Sequence, residues 1–104
     1  MYEILYTKQA MKDIEKLKIN KNLYARYLEK EKEISINPKC PNVPQGDFSE
    51  LKGNLKGIYH IRLNQKHRIF YTISDNEREI YIDKIEEIPD GKVKILQAFG
   101  HDLR

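Results

Sequence analysis

The chain has 104 residues, of which 39% are hydrophobic and 34% are charged. This length suits one domain and excludes two, and the composition excludes a disordered chain. No apolar run approaches the roughly 20 residues of a membrane span, and no signal peptide is recognisable. The single cysteine, Cys40, cannot form an internal disulfide, which fits a reducing compartment. We therefore expect one domain over residues 1–104, located in the cytoplasm and not in a membrane.

The net charge is only +3, but the charges are unevenly distributed along the chain. Between Lys52 and Arg68 every charged residue is basic, whereas residues 75–90 are mostly acidic. This asymmetry concentrates a positive field on one part of the fold, where a polyanion such as a nucleic acid would be attracted.

The N-terminal third predicts a strand followed by two helices. Residues 2–7 are rich in aromatic and branched side chains, as in a strand, and Thr7 and Asn20 are typical helix N-caps. Apolar residues recur at helical spacing after each cap: Ala10, Met11, Ile14 and Leu17, then Leu23, Tyr27 and Ile34. The second helix runs to about Asn37 because Pro38 stops it. The result is a helical hairpin.

The remaining sequence predicts a loop and then a sheet. Residues 38–50 hold three of the four prolines, which indicates a crossing loop. Alternating apolar residues then predict strands at 58–63, 67–73, 79–85 and 92–99. Turn sequences lie between successive strands, as in antiparallel hairpins. We expect an α+β fold in which a leading strand and two helices pack on a small antiparallel sheet of four to five strands.

The first predicted hairpin, with its loop at residues 64–66, has one register that sorts its side chains by polarity. Arg62 then lies opposite Arg68 and His60 opposite Phe70, and these four share one face. The apolar residues face the helices: Tyr59, Ile61, Leu63, Ile69, Tyr71 and Ile73. A slip by one residue would bury Arg68 in the core, which is costly.

Two arginines directly opposite each other repel, so a purely structural surface would avoid them. Guanidinium groups match phosphate oxygens in bidentate geometry. We therefore expect Arg62 and Arg68 to stand side by side, exposed, with a phosphodiester docking between them. Phe70 adds an aromatic face for an unstacked base. The alternative is a solvated basic face with acidic partners from residues 75–90.

Other chemistry has less support in the sequence. His101 lies just beyond the last predicted strand, where an imidazole can transfer a proton near neutral pH. The histidines lack metal-ligand spacing, and no nucleotide-binding loop is present. We expect neither a metal nor another cofactor.

The segment Glu50-Leu51-Lys52-Gly53-Asn54-Leu55-Lys56-Gly57, followed by Tyr59, Arg62 and Lys66-His67-Arg68-Ile69-Phe70-Tyr71, resembles the centre of RelE/ParE-superfamily toxins, in particular the YoeB/Txe branch. The tail Gly100-His101-Asp102-Leu103 resembles that of YafQ-like relatives. The resemblance implies a RelE-like fold and the toxin of a type II toxin–antitoxin system. It also implies a metal-independent endoribonuclease that cleaves mRNA by 2′-OH attack, on the ribosome, and is neutralised by a cognate antitoxin protein.

The resemblance also implies roles for individual residues. Arg62 and Arg68 fall on phosphate-binding positions, and His101 falls near a C-terminal general acid. The family's glutamate base falls on Ser49 here, which leaves Glu50 or His60 as the base. The RNA-binding surface is expected to include Lys52, Lys56, Lys66 and Phe70.

Two other functions are compatible with the same sequence. A ParE-type toxin would poison DNA gyrase through protein contacts and would not need His101. A relative without catalysis would keep the basic face and bind RNA or protein only.

Overall fold

A computed structural model describes residues 1–40 and 42–87 of the chain. Its elements are β1 (Glu3–Tyr6), α1 (Lys8–Leu17), α2 (Lys21–Ile36), β2 (Phe48–Glu50), β3 (Ile58–Arg62), β4 (His67–Ser74) and β5 (Glu79–Glu87). A short 3₁₀ turn, Gly53–Leu55, lies between β2 and β3. The strands form one five-stranded sheet in the order β1-β5-β4-β3-β2. The α+β class is thereby confirmed.

Both predicted helix caps are confirmed. The Thr7 hydroxyl accepts the N–H of Ala10 at 3.0 Å, and the Asn20 side chain accepts the N–H of Leu23 at 3.1 Å. Each bond satisfies a donor that the first helical turn leaves without an intrahelical acceptor. The caps fix where both helices begin.

The sheet differs from the sequence-based expectation at both edges. β1 runs parallel to β5, with Glu3 paired to Glu79, whereas the other pairs are antiparallel. Part of the expected crossing loop is the edge strand β2, because Phe48 pairs with Ile61. Both pairings join distant residues, which local sequence patterns do not specify. The strand expected at 92–99 lies outside the described residues.

The main core lies between the two helices and one face of the sheet. Its fully buried members include Ala10, Tyr27, Ile34, Ile61, Ile69, Tyr71, Ile80 and Ile82. Tyr71 also anchors the chain that leaves α2, because its hydroxyl donates to the Pro38 carbonyl at 2.6 Å. A smaller cluster on the other face joins Phe70 to Leu51 and Leu55. Within the described ranges, no helix is long and apolar enough to cross a membrane.

Candidate functional site

The β3–β4 hairpin has the register that the sequence predicts. Arg62 is paired with Arg68 and His60 with Phe70. The turn is closed by Asn64, whose side-chain oxygen accepts the N–H groups of Lys66 and His67 at 2.8 and 2.7 Å. This local closure fixes the register, and the register places the two arginines side by side.

Arg68 is not exposed as expected: only 4% of the residue is accessible. Its Nη1 donates to the carbonyl oxygens of Gly46 and Asp47 at 3.1 and 3.2 Å. The same nitrogen lies 3.4 Å from Nδ1 of His60. The expectation of an open clamp formed by two exposed guanidinium groups is therefore wrong for Arg68, because the loop before β2 closes over it.

Arg62 is half-buried and shares one partner with Arg68. Its Nη1 lies 3.6 Å from the Asp47 carboxylate, and its Nε donates to the Asn64 carbonyl at 3.3 Å. The backbone N–H of Arg62 donates to the Asp47 carbonyl at 2.7 Å. Asp47 thus connects both arginines, which the sequence analysis missed. The usable signal was an acidic residue after the Pro44-Gln45-Gly46 turn sequence.

His60 is 1% exposed and lies between Ser49 and Arg68. Its Nε2 is 2.9 Å from the Ser49 hydroxyl. Because Arg68 can only donate, Nδ1 must be the acceptor, and Nε2 then carries the proton toward Ser49. Burial, together with the charge of Arg68, lowers the pKa of His60 from its usual 6.5 to about 4. His60 is therefore neutral near pH 7 and, in this conformation, is not placed to act as a base.

Glu50 does not lie beside His60 and Arg68. It pairs with Tyr59 across β2 and β3, so strand alternation puts it on the opposite face from Ser49. One of its carboxylate oxygens accepts the N–H of Gly57 at 2.9 Å. The expectation of Glu50 as the base beside the arginines is not supported by this placement. Ser49, at the family's glutamate position, occupies that place instead.

The lysines expected to bind RNA lie on the surface, whereas Phe70 does not. Lys52, Lys56 and Lys66 are exposed. Phe70 is 2% exposed, packs on Leu51 and Leu55, and has the Lys84 ammonium 5.3 Å from its ring centre. An open stacking face on Phe70 is therefore wrong for this conformation, because the segment after β2 covers the ring.

Part of the acidic segment lies beside the basic strands. Glu86 of β5 is paired with Arg68 of β4, on the side of β4 away from Arg62. This neighbour offsets the repulsion between the two arginines. On the other side of Arg62, a cleft of about 510 Å³ opens toward Arg26 and Lys30 of α2. The charges of this cleft are balanced, because acidic side chains line it as well: Glu29, Glu33 and Asp47. The basic surface therefore does not extend past Arg62 onto α2.

His101 lies outside the described residues. Within residues 1–40 and 42–87, no three histidine, cysteine or acidic side chains come together as metal ligands would.

Comparison with known proteins adds the family. No protein-family model and no curated protein matches the chain. Several solved structures, however, do match the chain. A YoeB–YefM complex from Staphylococcus aureus is 31% identical, with 83% of this chain and 95% of that chain covered and a TM-score of 0.68. An archaeal RelE–RelB complex from Pyrococcus horikoshii is 27% identical, with 83% and 93% covered and a TM-score of 0.66.

A YoeB/ParE toxin from Agrobacterium tumefaciens is 16% identical, with 82% of this chain and 96% of that chain covered, and shares the fold at a TM-score of 0.71. The arrangement of helices and sheet is thus common to these structures, and one of them is similar in sequence over nearly its whole length. The chain belongs to the RelE/ParE toxin superfamily, within its YoeB-like branch.

Proposed function

We propose that this protein is the toxin of a type II toxin–antitoxin pair and that it cleaves mRNA in the cytoplasm as a metal-independent endoribonuclease, on the ribosome. Family membership supports the toxin role. The solved complexes of relatives contain the antitoxins YefM and RelB, which supports a cognate antitoxin as the partner.

The adjacent arginines on β3 and β4 are the observation that carries the ribonuclease part of the proposal. Their guanidinium groups both contact Asp47, so they lie close enough to serve one anionic group. The exposed Lys52, Lys56 and Lys66 extend the positive surface along the same segment. Such a surface suits the backbone of single-stranded RNA.

In the proposed reaction the 2′-oxygen of the RNA passes its proton to a solvent water molecule and attacks the adjacent phosphorus. The bond from phosphorus to the 5′-oxygen breaks, which yields a 2′,3′-cyclic phosphate and a 5′-hydroxyl end. Arg62, Arg68 and Lys52 stabilise the charge that grows on the phosphoryl oxygens, and His101 protonates the leaving oxygen. His60 holds Arg68 through Nδ1 and is a positioning residue in this proposal.

Mapping of mRNA ends by primer extension after induction of the toxin tests the proposal. We expect new 5′ ends with the wild type, and at least a hundred-fold less cleavage with Arg62→Gln. Two exposed lysines make a matched pair: Lys52→Gln is expected to weaken cleavage, and Lys12→Gln on α1 to leave it unchanged. Growth arrest with intact mRNA would contradict the proposal.

A gyrase-directed toxin is the second candidate. The burial of His60, Arg68 and Phe70 favours it, because a toxin that acts through protein contacts needs no accessible phosphate site. It predicts DNA damage with intact mRNA after induction. A relative without catalysis predicts neither cleavage nor DNA damage, so the same induction experiment separates all three.

A further inference from the structure

The segment that closes over Arg68 is a tight turn on the protein surface. The N–H of Asp47 donates to the Pro44 carbonyl at 3.0 Å, which closes the four-residue turn Pro44-Gln45-Gly46-Asp47. Gly46, the third residue, has φ +90°, as a type II turn requires. Pro44, Gln45 and Gly46 are all exposed. The turn is therefore a thin cover with solvent on its outer side.

The inner side of this turn presents oxygen atoms to both arginines. Arg68 donates to the carbonyl oxygens of Gly46 and Asp47, and Arg62 lies beside the Asp47 carboxylate. Three oxygen atoms of the turn, one of them in a charged carboxylate, thus contact the two guanidinium groups. A phosphate group in the same place would offer the same kind of acceptor to the same donors.

A phosphate would make stronger contacts than the turn does. Each bond from Arg68 to the turn goes to a neutral carbonyl, so replacing these acceptors by phosphate oxygens adds the attraction between two full charges. The Asp47–Arg62 pair is wide, at 3.6 Å, and both side chains are partly exposed, so its contribution is small. An arriving phosphodiester therefore has an energetic reason to replace the turn.

We propose that the Pro44–Asp47 turn is an intramolecular competitor of the RNA phosphate, held on Arg62 and Arg68 in the free protein and displaced when RNA binds. The inference rests on the proposed function, because it takes RNA as the ligand. It makes the turn autoinhibitory: every productive encounter includes the release of Arg68 from the Gly46 and Asp47 carbonyls.

The opposite role for the turn is that it orients the arginines for RNA. The two roles predict opposite signs for one measurement, the affinity for RNA when the turn is weakened. Binding is measured with a single-stranded oligoribonucleotide that carries a 2′-O-methyl group at each position, so no 2′-OH is present to react. The measured RNA affinity is then independent of any role of Asp47 in the cleavage step.

Asp47→Asn removes the competing charge and keeps the size of the side chain. We expect about five-fold tighter binding, the effect of losing one weak ion pair to the competitor. The slope of log K against log salt is expected to become steeper by about 0.7, because in the wild type the freed Asp47 carboxylate takes up a cation that offsets the counterion released from the phosphate.

Gly46→Ala tests the turn without touching its charge. A Cβ at Gly46 would meet nothing within 4 Å, so the substitution acts only through strain at φ +90°. Gly57→Ala is the matched control, because Gly57 has φ +99° and equally open space but lies outside the turn. We expect tighter RNA binding with Gly46→Ala and unchanged binding with Gly57→Ala.

The possible outcomes distinguish failure of this inference from failure of the proposed function. Weaker or unchanged binding by Asp47→Asn and Gly46→Ala, with a wild type that binds, would overturn the competitor role and leave the ribonuclease proposal standing. Absence of binding by the wild type and both variants at low salt, with native circular dichroism, would overturn both.

Discussion

His60 and Arg68 are joined by a contact of 3.4 Å in which the imidazole Nδ1 faces a guanidinium nitrogen. A protonated imidazole would have no lone pair to accept this bond and would add a second positive charge in a buried place. The arrangement therefore couples the protonation of one histidine to the position of the arginine that we propose for RNA binding.

The first prediction concerns the pH dependence of stability. The pKa of His60 is lowered from 6.5 to about 4 in the folded protein, so between these values the unfolded chain binds the proton more strongly. Stability is expected to fall as the pH drops from about 6.5 to about 4, by up to about 3 kcal/mol. Urea unfolding across this range checks it, with His60→Gln as the comparison. An equal pH dependence in both proteins would refute the assignment.

For Asp83 we expect the opposite dependence of stability on pH. Burial raises the pKa of its carboxyl from 3.8 to about 6, so the folded protein binds this proton more strongly than the unfolded chain does. Stability from this group is present at low pH and is lost as the pH rises through about 6. Asp83→Asn is expected to stabilise the protein by about 1 kcal/mol at pH 7.5, allowing for partial solvent screening. At pH 4 no difference is expected, and a difference of equal size there would argue against the shift.

Glu50 supplies a prediction about chemistry. Because its carboxylate accepts the Gly57 N–H and lies on the face away from Ser49 and His60, we expect Glu50→Gln to keep cleavage within about three-fold of the wild type. A general base contributes roughly 10²–10⁴-fold. A loss of that size, measured by primer extension at matched toxin levels, would restore Glu50 as the base.

Removal of the Tyr71 hydroxyl is expected to lower the stability of the protein. Its buried hydroxyl donates to the Pro38 carbonyl, so Tyr71→Phe leaves that carbonyl without this donor. We expect a loss of about 1–2 kcal/mol in the free energy of unfolding. Tyr81→Phe is the matched control, since Tyr81 is 40% exposed and its loss is expected to be near zero. Equal losses in both variants would show that the Pro38 contact contributes nothing.

The sequence was sufficient wherever the deciding interactions were local. Thr7 and Asn20 act within one helical turn, and the Arg62–Arg68 register follows from the polarity of two adjacent strands. The burial of Arg68 could not be predicted in this way, because the interactions that decide it are not local. It depends on the Gly46 and Asp47 carbonyls, which lie over 20 residues away and belong to a turn whose polar residues suggested only an exposed loop.

The candidate base was misplaced for a related reason. One residue of offset in a strand moves a side chain to the other face of the sheet, and Glu50 is one residue from Ser49. The existence and register of β2 decide which of the two residues faces His60. Since β2 has only three residues and follows a proline-rich segment, its pairing with β3 was not visible in the sequence.

The parallel pairing of β1 with β5 has a consequence for the order of folding. Thr7, at the end of β1, donates its hydroxyl hydrogen to the carbonyl of Asp83, 76 residues further along the chain. β1 must therefore wait for the synthesis of β5 before it has a neighbour in the sheet. Closing so long a loop is slow, and a partly synthesised chain has no place for β1 in the sheet. Completion of the sheet is thereby tied to the synthesis of β5.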